Sequence, residues 1–226
     1  MALDRIDIVF FDFDGVILES AGIKTAAFRE VFDDAPESVR FHLENQGVSR
    51  FEKFRFHCEQ VLGRAYDATA EREMNDAFDA IVQHQVDTAA FVPGAFELLE
   101  ALQHRIPAFV ASGTPENELV RIVQVRGLDP YFAGVHGSPR RKGEIASAVL
   151  SQRGVPPHRG LFIGDALADY EGALEAGLPF VGRVAESEES PFPVSTATVC
   201  DLMPLLGDWA GISERVGAEF ATRSAG

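Results

Sequence analysis

"VFFDFDGV", residues 9 to 16, places two carboxylates, Asp12 and Asp14, within a run of valine and phenylalanine. The apolar pattern over residues 6 to 14 is typical of a strand that is buried on both faces. Side chains two positions apart in a strand point the same way, so these two acids would repel each other without a cation. An Asp-Gly turn would explain Asp14 and Gly15 but not the buried Asp12. The stretch therefore indicates a cation site at the end of a buried strand.

Composition narrows the class of protein. The chain has 226 residues, of which 46% are hydrophobic and 24% charged, as in an ordinary globular protein. Its net charge of −15 argues against a nucleic-acid partner, because such proteins present a basic surface. No stretch has the pattern of a secretory signal or a membrane span. Cys58 and Cys200 have no metal-binding or redox spacing, so we expect two reduced, buried thiols and a cytoplasmic protein.

The chain changes pattern twice. Residues 20 to 90 show only helical periodicity, which indicates a small helical bundle inserted after the first strand. From residue 91 onward, strand and helix patterns alternate, which predicts an α/β fold with a doubly wound parallel sheet. We expect a Rossmann-like core of residues 1–18 and 92–226 and an all-helical cap domain of residues 19–91. The further strands are predicted at 107–112, 134–137, 160–165, 179–182 and 196–200, and the helices near 94–104, 115–126, 142–152, 167–176 and 201–210. Residues 186–193 are predicted as a loop, and residues 212–226 as a short helix with a loose tail.

More acids follow a later strand. Asp165 and Asp169 are four residues apart, so they share one face if a helix begins at Asp165. The alternative is that Asp165 only caps that helix. In open parallel sheets ligands bind at the carboxyl ends of the strands, where Asp12 and Asp14 also lie. Four carboxylates at one site require a hard cation such as Mg²⁺.

Two further segments supply groups that suit a phosphate. Ser112 follows a predicted strand and precedes a helix for which Thr114 is the expected N-cap and Pro115 the first residue. Its hydroxyl and the nearby backbone N–H groups can bind a phosphate, although a plain loop serine is the alternative. Residues 140 to 142, Arg-Arg-Lys, form a basic cluster in an acidic chain. Solvent-exposed side chains are the alternative for the two arginines.

In this order, the motifs D-x-D-G-V, a strand ending in Ser, a Lys and G-D-x-x-x-D resemble the haloacid dehalogenase superfamily, over roughly residues 6 to 205. The inserted helices resemble the helical type of cap in this superfamily. The resemblance implies a phosphotransferase in which Asp12 is the nucleophile and Asp14 the general acid and base. It implies Mg²⁺ bound by Asp12, Asp165 and the backbone carbonyl of Asp14. It also implies that Ser112 and Lys142 hold the phosphoryl oxygens, that Gly113 and Thr114 bind substrate beside them, and that Asp169 supports the metal shell or orients Lys142.

The cap carries its own candidates. "NQGVSRFEKF", residues 45 to 54, resembles the substrate-specificity loop of β-phosphoglucomutase and related caps through Gly47, Ser49 and Arg50. Arg50 is expected to bind a distal phosphate or carboxylate, with an exposed helix-start arginine as the alternative. Lys24 shares a helical stripe with apolar residues and so points inward near Asp14, unless it reaches solvent. The mutase has a histidine at the place of Lys24. Lys24 and Arg50 are expected to select the substrate.

The sequence thus predicts a Mg²⁺-dependent phosphatase that acts on a small phosphorylated metabolite, expected to be a sugar phosphate, through an aspartyl phosphate. It predicts no nucleic-acid or membrane partner and a monomer or homodimer. A β-phosphoglucomutase-like mutase is the alternative. A receiver-type phosphoacceptor domain fits less well, because its acids lie elsewhere and it has no helical insertion. A dehalogenase fits less well because it needs no Mg²⁺.

Overall fold

A single parallel sheet organises the chain. The computed structural model describes residues 6–186 and 188–207. Its six strands lie in the order β3-β2-β1-β4-β5-β6, and every neighbouring pair is parallel. The predicted doubly wound sheet is confirmed, whereas the expected helix and tail at residues 212–226 lie outside the described residues. The strands are β1 (Ile8–Phe11), β2 (Ala108–Pro115), β3 (Phe132–Ser138), β4 (Gly160–Gly164), β5 (Phe180–Arg183) and β6 (Thr198–Val199).

Helices follow the strands as the alternating pattern requires. Those of the insertion are α1 (Ala21–Val31), α2 (Pro36–Glu44), α3 (Arg50–Phe56) and α4 (Ala68–Asp87), and a π-helical turn (His57–Val61) extends α3. The later helices are α5 (Ala95–Leu102), α6 (Glu116–Val125), α7 (Lys142–Arg153), α8 (Leu167–Glu175) and α9 (Met203–Gly207). The last helix was predicted at residues 201–210, of which 208–210 lie outside the described part of the chain.

Alternate residues of β1 face opposite sides of the sheet, and this explains its continuous apolar run. Ile8 and Phe10 pack with residues of α7 and α8 on one face. Val9 and Phe11 pack with residues of α5 and α6 on the other face. All four side chains are fully buried, so β1 is a central strand covered by helices on both sides.

The helical insertion joins the sheet through two adjacent segments. Glu19 donates a backbone hydrogen bond to Ala90 (2.9 Å), and Val92 donates one to Ile17 (3.0 Å). These bonds lie at the expected boundaries 18/19 and 91/92, where the chain leaves and re-enters the core. Aromatic rings fill the interior of the insertion around Phe54. The same cluster continues to the face of the sheet that α5 and α6 cover. The division into a core and a cap domain remains a prediction that this connection supports.

The structure tests the predicted burial of the two cysteines. Cys58 is free and buried, as expected. Cys200 is free but exposed, so the prediction that it is buried was wrong. It follows β6, which has only two residues and lies at the edge of the sheet, where few side chains are covered. No helix in residues 6–186 and 188–207 has the length and apolar character needed to cross a membrane.

The aromatic cluster of the insertion yields a stability prediction. Phe54 is fully buried, and its ring lies 6.0 Å from that of Phe28 and 6.0 Å from that of Phe78. Phe54→Ala should therefore lower the free energy of unfolding by about 3 to 5 kcal/mol, as measured by urea denaturation. Leu62→Ala is the control, because Leu62 is half exposed and should cost far less. Equal losses for the two variants would contradict the packing described here.

Candidate active site

Three carboxylates meet at the carboxyl edge of the sheet. Asp12 follows β1, Asp165 follows β4, and Asp169 lies in the first turn of α8. Because β1 and β4 are parallel neighbours, their carboxyl ends lie side by side. One oxygen from each of the three carboxylates lies within 4.8 Å of the others. The helix begins at Leu167, as predicted, and Asp165 lies just before it; the first turn of the helix brings Asp169 to the same point.

Lys142 supplies the positive charge of this cluster. It is the first residue of α7, and its side chain is only 5% exposed. Its Nζ lies 3.1 Å from Asp12 and 2.6 Å from Asp169. The other Asp169 oxygen accepts a hydrogen bond from the backbone of Ala166 (3.0 Å). Both oxygens of Asp169 therefore have partners, and its bond to Lys142 agrees with the predicted role of orienting that lysine, which stays a prediction.

One lysine does not balance three acids. Burial, followed by repulsion from Asp169, raises the pKa of Asp12 to about 7, although Lys142 acts to lower it. Burial and repulsion from Asp12 likewise raise the pKa of Asp165. Asp12 Oδ1 is buried and has no hydrogen-bond partner in the described part of the chain. This all-oxygen donor set with an unpartnered atom fits a hard divalent cation.

Gly15 is needed for this arrangement. Its φ of +77° lies in the left-handed region that favours glycine. A Cβ atom at this position would collide with the Asp165 carboxylate. The turn after β1 thus gives Asp165 its place beside Asp12.

Asp14 has a different environment from Asp12. Its carboxylate accepts hydrogen bonds from Ser20 (2.5 Å), Lys24 (2.6 Å) and Thr114 (2.8 Å). Burial alone would raise the pKa of Asp14, but Lys24 and the two hydroxyls outweigh it, so the pKa lies below its ordinary value. The carboxylate is therefore outside the three-acid cluster. Asp14 would reach a metal only through the backbone carbonyl that the resemblance implied.

The end of β2 brings Ser112, Gly113 and Thr114 to the same edge. Ser112 is buried, and its Oγ accepts a hydrogen bond from the backbone of Thr114 (3.2 Å). The prediction that Thr114 caps the next helix was wrong. An irregular register with β3 carries β2 on to Pro115, and Pro115 is the N-cap of α6. The Thr114 hydroxyl instead accepts a hydrogen bond from Lys24 (2.6 Å) and donates one to Asp14.

The predicted cap loop lies directly over the site. Gly47 has a φ of +75°, and a Cβ atom there would lie 3.0 Å from Lys142 Nζ. A Cβ atom on Gly113 would lie 2.5 Å from the Gly47 carbonyl oxygen, so the two glycines allow the close approach of loop and strand. Ser49 is the N-cap residue of α3, makes no side-chain cap bond, and borders the space next to Lys142.

Arg50 and Lys24 differ from expectation in their partners. Arg50 is buried and forms ion pairs with Asp79 of α4 (2.6 Å) and with Glu118 of α6. It therefore joins the insertion to the helix after β2, and its charge is already neutralised by the chain. Lys24 points inward as expected, but its Nζ is bound by Asp14 and Thr114. Neither cation is free to bind a distal anion in this structure.

Of the basic residues 140 to 142, the two arginines are exposed to solvent, which was the alternative considered for them. Arg140 pairs with Glu116, and Arg141 pairs with Glu144 and Glu175, all on the surface. Only Lys142 enters the site.

Sequence reasoning missed two residues of the site. Ser20 holds Asp14 from the start of the insertion. Lys53 lies in α3, as Arg50 does. Its side chain is only 4% exposed and borders the cavity above Asp12 and Asp14. The three-residue spacing between Arg50 and Lys53 places them on one helix face and was the available signal.

Residues 6–177 match the haloacid dehalogenase-like hydrolases. The chain belongs to this family. Phosphoglycolate phosphatase 1 of Pseudomonas aeruginosa is 24% identical over 187 residues, 76% of this chain and 66% of that protein. The phosphorylated carbohydrates phosphatase of Thermotoga maritima is 25% identical over 191 residues, 79% of this chain and 85% of that protein. The family prediction is confirmed, and the prediction of a phosphoric monoester hydrolase agrees with both names.

The fold also matches solved structures of this family. The crystal structure of β-phosphoglucomutase from Clostridium difficile aligns with a TM-score of 0.75 at 18% identity, and the alignment covers 96% of this chain and 100% of that one. At this identity the likeness shows the fold. The chain spans just under two thirds of the length of the Pseudomonas protein.

The crowding of acids around Asp12 predicts a pH-dependent change in stability. The pKa of Asp12 rises from 3.8 to about 7 on folding, so the folded protein holds this proton more tightly than the unfolded chain. Ionised Asp12 therefore costs stability progressively as the pH rises from about 4 to about 7. Asp12→Asn removes that cost, so in EDTA its Tm should exceed that of the parent by roughly 2 to 8 °C near pH 8.

The difference should shrink as the pH falls toward about 4, because Asp12 is then protonated in both states. Thermal unfolding followed by circular dichroism at several pH values measures it. Asp76→Asn, a change at an exposed aspartate of α4, is the control and should show no such trend. A constant difference across the pH range would contradict the proposed crowding.

Proposed function

We propose that the chain is a Mg²⁺-dependent phosphatase that hydrolyses a small phosphorylated metabolite through an aspartyl phosphate on Asp12. The observation that carries this proposal is the position of Asp12. Its carboxylate is buried at the end of a central strand, 3.1 Å from Lys142 and beside two further acids, with one oxygen unpartnered among the described residues. This environment suits a carboxylate nucleophile facing a polyanionic group.

In the first step, an Asp12 oxygen forms a bond to phosphorus while the ester bond to the leaving alcohol breaks. The alcohol needs a proton, which the hydrogen-bonded pair of Asp14 and Lys24 can hold and deliver. Lys142 and the polar groups of Ser112 and Thr114 hold the phosphoryl oxygens. When bound at Asp12, Asp165 and the Asp14 carbonyl, Mg²⁺ would offset the negative charge of the phosphoryl group.

In the second step, water attacks the phosphorus and the Asp12–phosphorus bond breaks, which releases phosphate. The attacking water must lose a proton. Asp14 is suited to accept it, because its hydrogen-bond partners lower its pKa and keep the carboxylate ionised. The proton that the Asp14–Lys24 pair gives to the alcohol in the first step is thus replaced by the proton that Asp14 takes from water in the second.

The residues of the insertion support a substrate of limited size. The cavity is lined by the ends of β1 and β2 on one side and by residues of α1, α3 and α4 on the other, an arrangement that suits a small metabolite. The names of the two relatives refer to phosphoglycolate and to phosphorylated carbohydrates. A sugar phosphate, as expected from sequence, is the substrate class we propose first. A cytoplasmic location is part of the proposal and agrees with two free thiols.

We favour a phosphatase over a mutase because of Lys24. The mutase pattern has a histidine at this place, whereas here a lysine is bound to Asp14 and Thr114. Lys24 therefore acts through Asp14, in contrast to the expectation that it selects the substrate. Arg50, with its two carboxylate partners, holds the insertion against α6.

The proposal is tested by phosphate release from p-nitrophenyl phosphate. Treatment with EDTA should abolish turnover, because no metal ion then offsets the combined negative charge of the three acids and the phosphoryl group. Mg²⁺ should restore turnover. Ca²⁺ should restore little of it, because Ca²⁺ takes more and longer oxygen contacts than the octahedral Mg²⁺. Asp12→Asn should have less than about 1% of the parent rate with Mg²⁺ present.

Asp76→Asn is the matched control and should keep the parent rate, because Asp76 is exposed on α4. Full activity in metal-free buffer would contradict the cation site. Substantial activity of Asp12→Asn, in protein shown by mass to be free of deamidation, would remove Asp12 as the nucleophile.

A further inference from the structure

The cavity above the site has a polar floor and a roof that contains two phenylalanine rings. Its floor is formed by Asp12, Asp14 and the end of β2, where the phosphoryl group would lie. Its roof belongs to the insertion and includes Phe28 and Phe78, whose ring centroids are 4.6 Å apart. The part of a substrate that is not transferred would therefore contact the residues of the roof.

Lys53 is the exception in this roof. Its side chain is 4% exposed, and no carboxylate among residues 6–186 and 188–207 lies within ion-pair distance of it. Its Nζ lies 4.8 Å from the centre of the Phe28 ring. The other cations around the site all have acidic partners: Lys24 has Asp14, Lys142 has Asp12 and Asp169, and Arg50 has Asp79 and Glu118.

An unpaired ammonium in such a place is unfavourable for the protein alone. Burial, together with repulsion from Lys142 and Lys24, lowers the pKa of Lys53 to about 7. The face of Phe28 offsets only part of this cost, since a cation–π contact contributes about 0.5 to 2 kcal/mol. An unbranched apolar side chain would fill the same space without a charge. A ligand with a negatively charged group that enters the cavity would give Lys53 the partner that the described part of the chain does not supply.

His42 adds a second polar atom to the same roof. Its Nε2 is 3.0 Å from the Thr25 hydroxyl, whereas its Nδ1 is buried and has no partner within the described residues. Burial and the charge of Lys53 lower the pKa of His42 to about 3, so the ring is neutral. Its ring packs against that of Phe28, with the ring centroids 4.3 Å apart and the planes tilted by 35°, and Lys53 contacts the same phenylalanine. The roof therefore contains one cation and one neutral imidazole, both in contact with the Phe28 ring.

We propose that Lys53 binds a second anionic group on the leaving alcohol of the substrate, a carboxylate or another phosphate. Lys53 is then a specificity residue, and Arg50, to which sequence analysis assigned this task, is not. The substrate class becomes a phosphorylated acid or a bisphosphate in place of a neutral sugar phosphate. The inference rests on the proposed phosphatase function for the position of the transferred phosphate.

Binding to a variant that does not turn over tests this directly. In the Asp12→Asn background, isothermal titration calorimetry compares 2-phosphoglycolate, fructose 1,6-bisphosphate and 2-hydroxyethyl phosphate. The first carries an added carboxylate, the second an added phosphate and the third no second charge. Lys53→Met should weaken the better-bound of the first two by roughly 10 to 100 fold and leave the third within about twofold. Whichever charged ester shows the loss identifies the group that Lys53 binds.

Arg55→Met is the matched control, because it removes a cation from the same helix. Arg55 is exposed, lies over Tyr66 and does not border the cavity. Its removal should change none of the three affinities. The Tm of Lys53→Met should equal or exceed that of the parent, because an unpaired buried charge is lost. If Met lowers the Tm, Lys53→Gln takes its place in the same titrations.

Two results would overturn the inference. Equal weakening of all three esters would mean that Lys53 serves the phosphoryl group or the fold. No weakening of either charged ester would mean that it binds no second anion. The proposed phosphatase function is tested by a separate assay, which measures the release of phosphate from the three esters by the parent protein with Mg²⁺. Loss of charge-dependent binding with intact hydrolysis overturns the inference alone, and charge-dependent binding without hydrolysis by the parent overturns the phosphatase alone.

Discussion

Repulsion among three acids at one edge of a parallel sheet is the constraint on which the rest of the site depends. Asp12, Asp165 and Asp169 lie close together, two of them buried, and a single lysine pairs with two of them. The fold creates this crowding because β1 and β4 end side by side. Such a cluster is stable and ionised only with a further cation. The proposed role of Asp12 as nucleophile uses this same buried charge, since phosphoryl transfer is governed by electrostatics.

The insertion covers the polar site closely, and glycines at the contact keep side chains out of the space above the acids. Gly47 and Gly113 let the cap loop approach the end of β2, and the insertion then contributes both apolar rings and cations above the acids. Most of these cations are neutralised by the chain itself: Lys24 tunes Asp14, and Arg50 ties the insertion to α6. Lys24 and Arg50 thus have separate structural partners, and in our proposal substrate recognition falls to a third cation, Lys53.

The sequence predicted the sheet and the carboxylate cluster well for a physical reason. Apolar runs that end in acids mark buried strands, and parallel strands bring their ends to one edge. The sequence predicted poorly which side chains form ion pairs and hydrogen bonds with one another. The residues that neutralise Arg50 are Asp79 and Glu118, far along the chain on other helices, and no local pattern shows that they meet. Thr114 was assigned as a helix cap because its local pattern is that of a cap, whereas the irregular pairing of β2 and β3 decides where the helix begins.

The central claim is that the phosphoryl group passes through Asp12. The most direct measurement is acid quenching during turnover with Mg²⁺, followed by peptide mapping by mass spectrometry. The account predicts one added phosphoryl group on the peptide that contains residues 9 to 16, located at Asp12 by fragmentation, with its amount decaying at the rate of phosphate release. A phosphoryl group on another side chain, or steady phosphate release with no adduct on that peptide at any quench time, would contradict it.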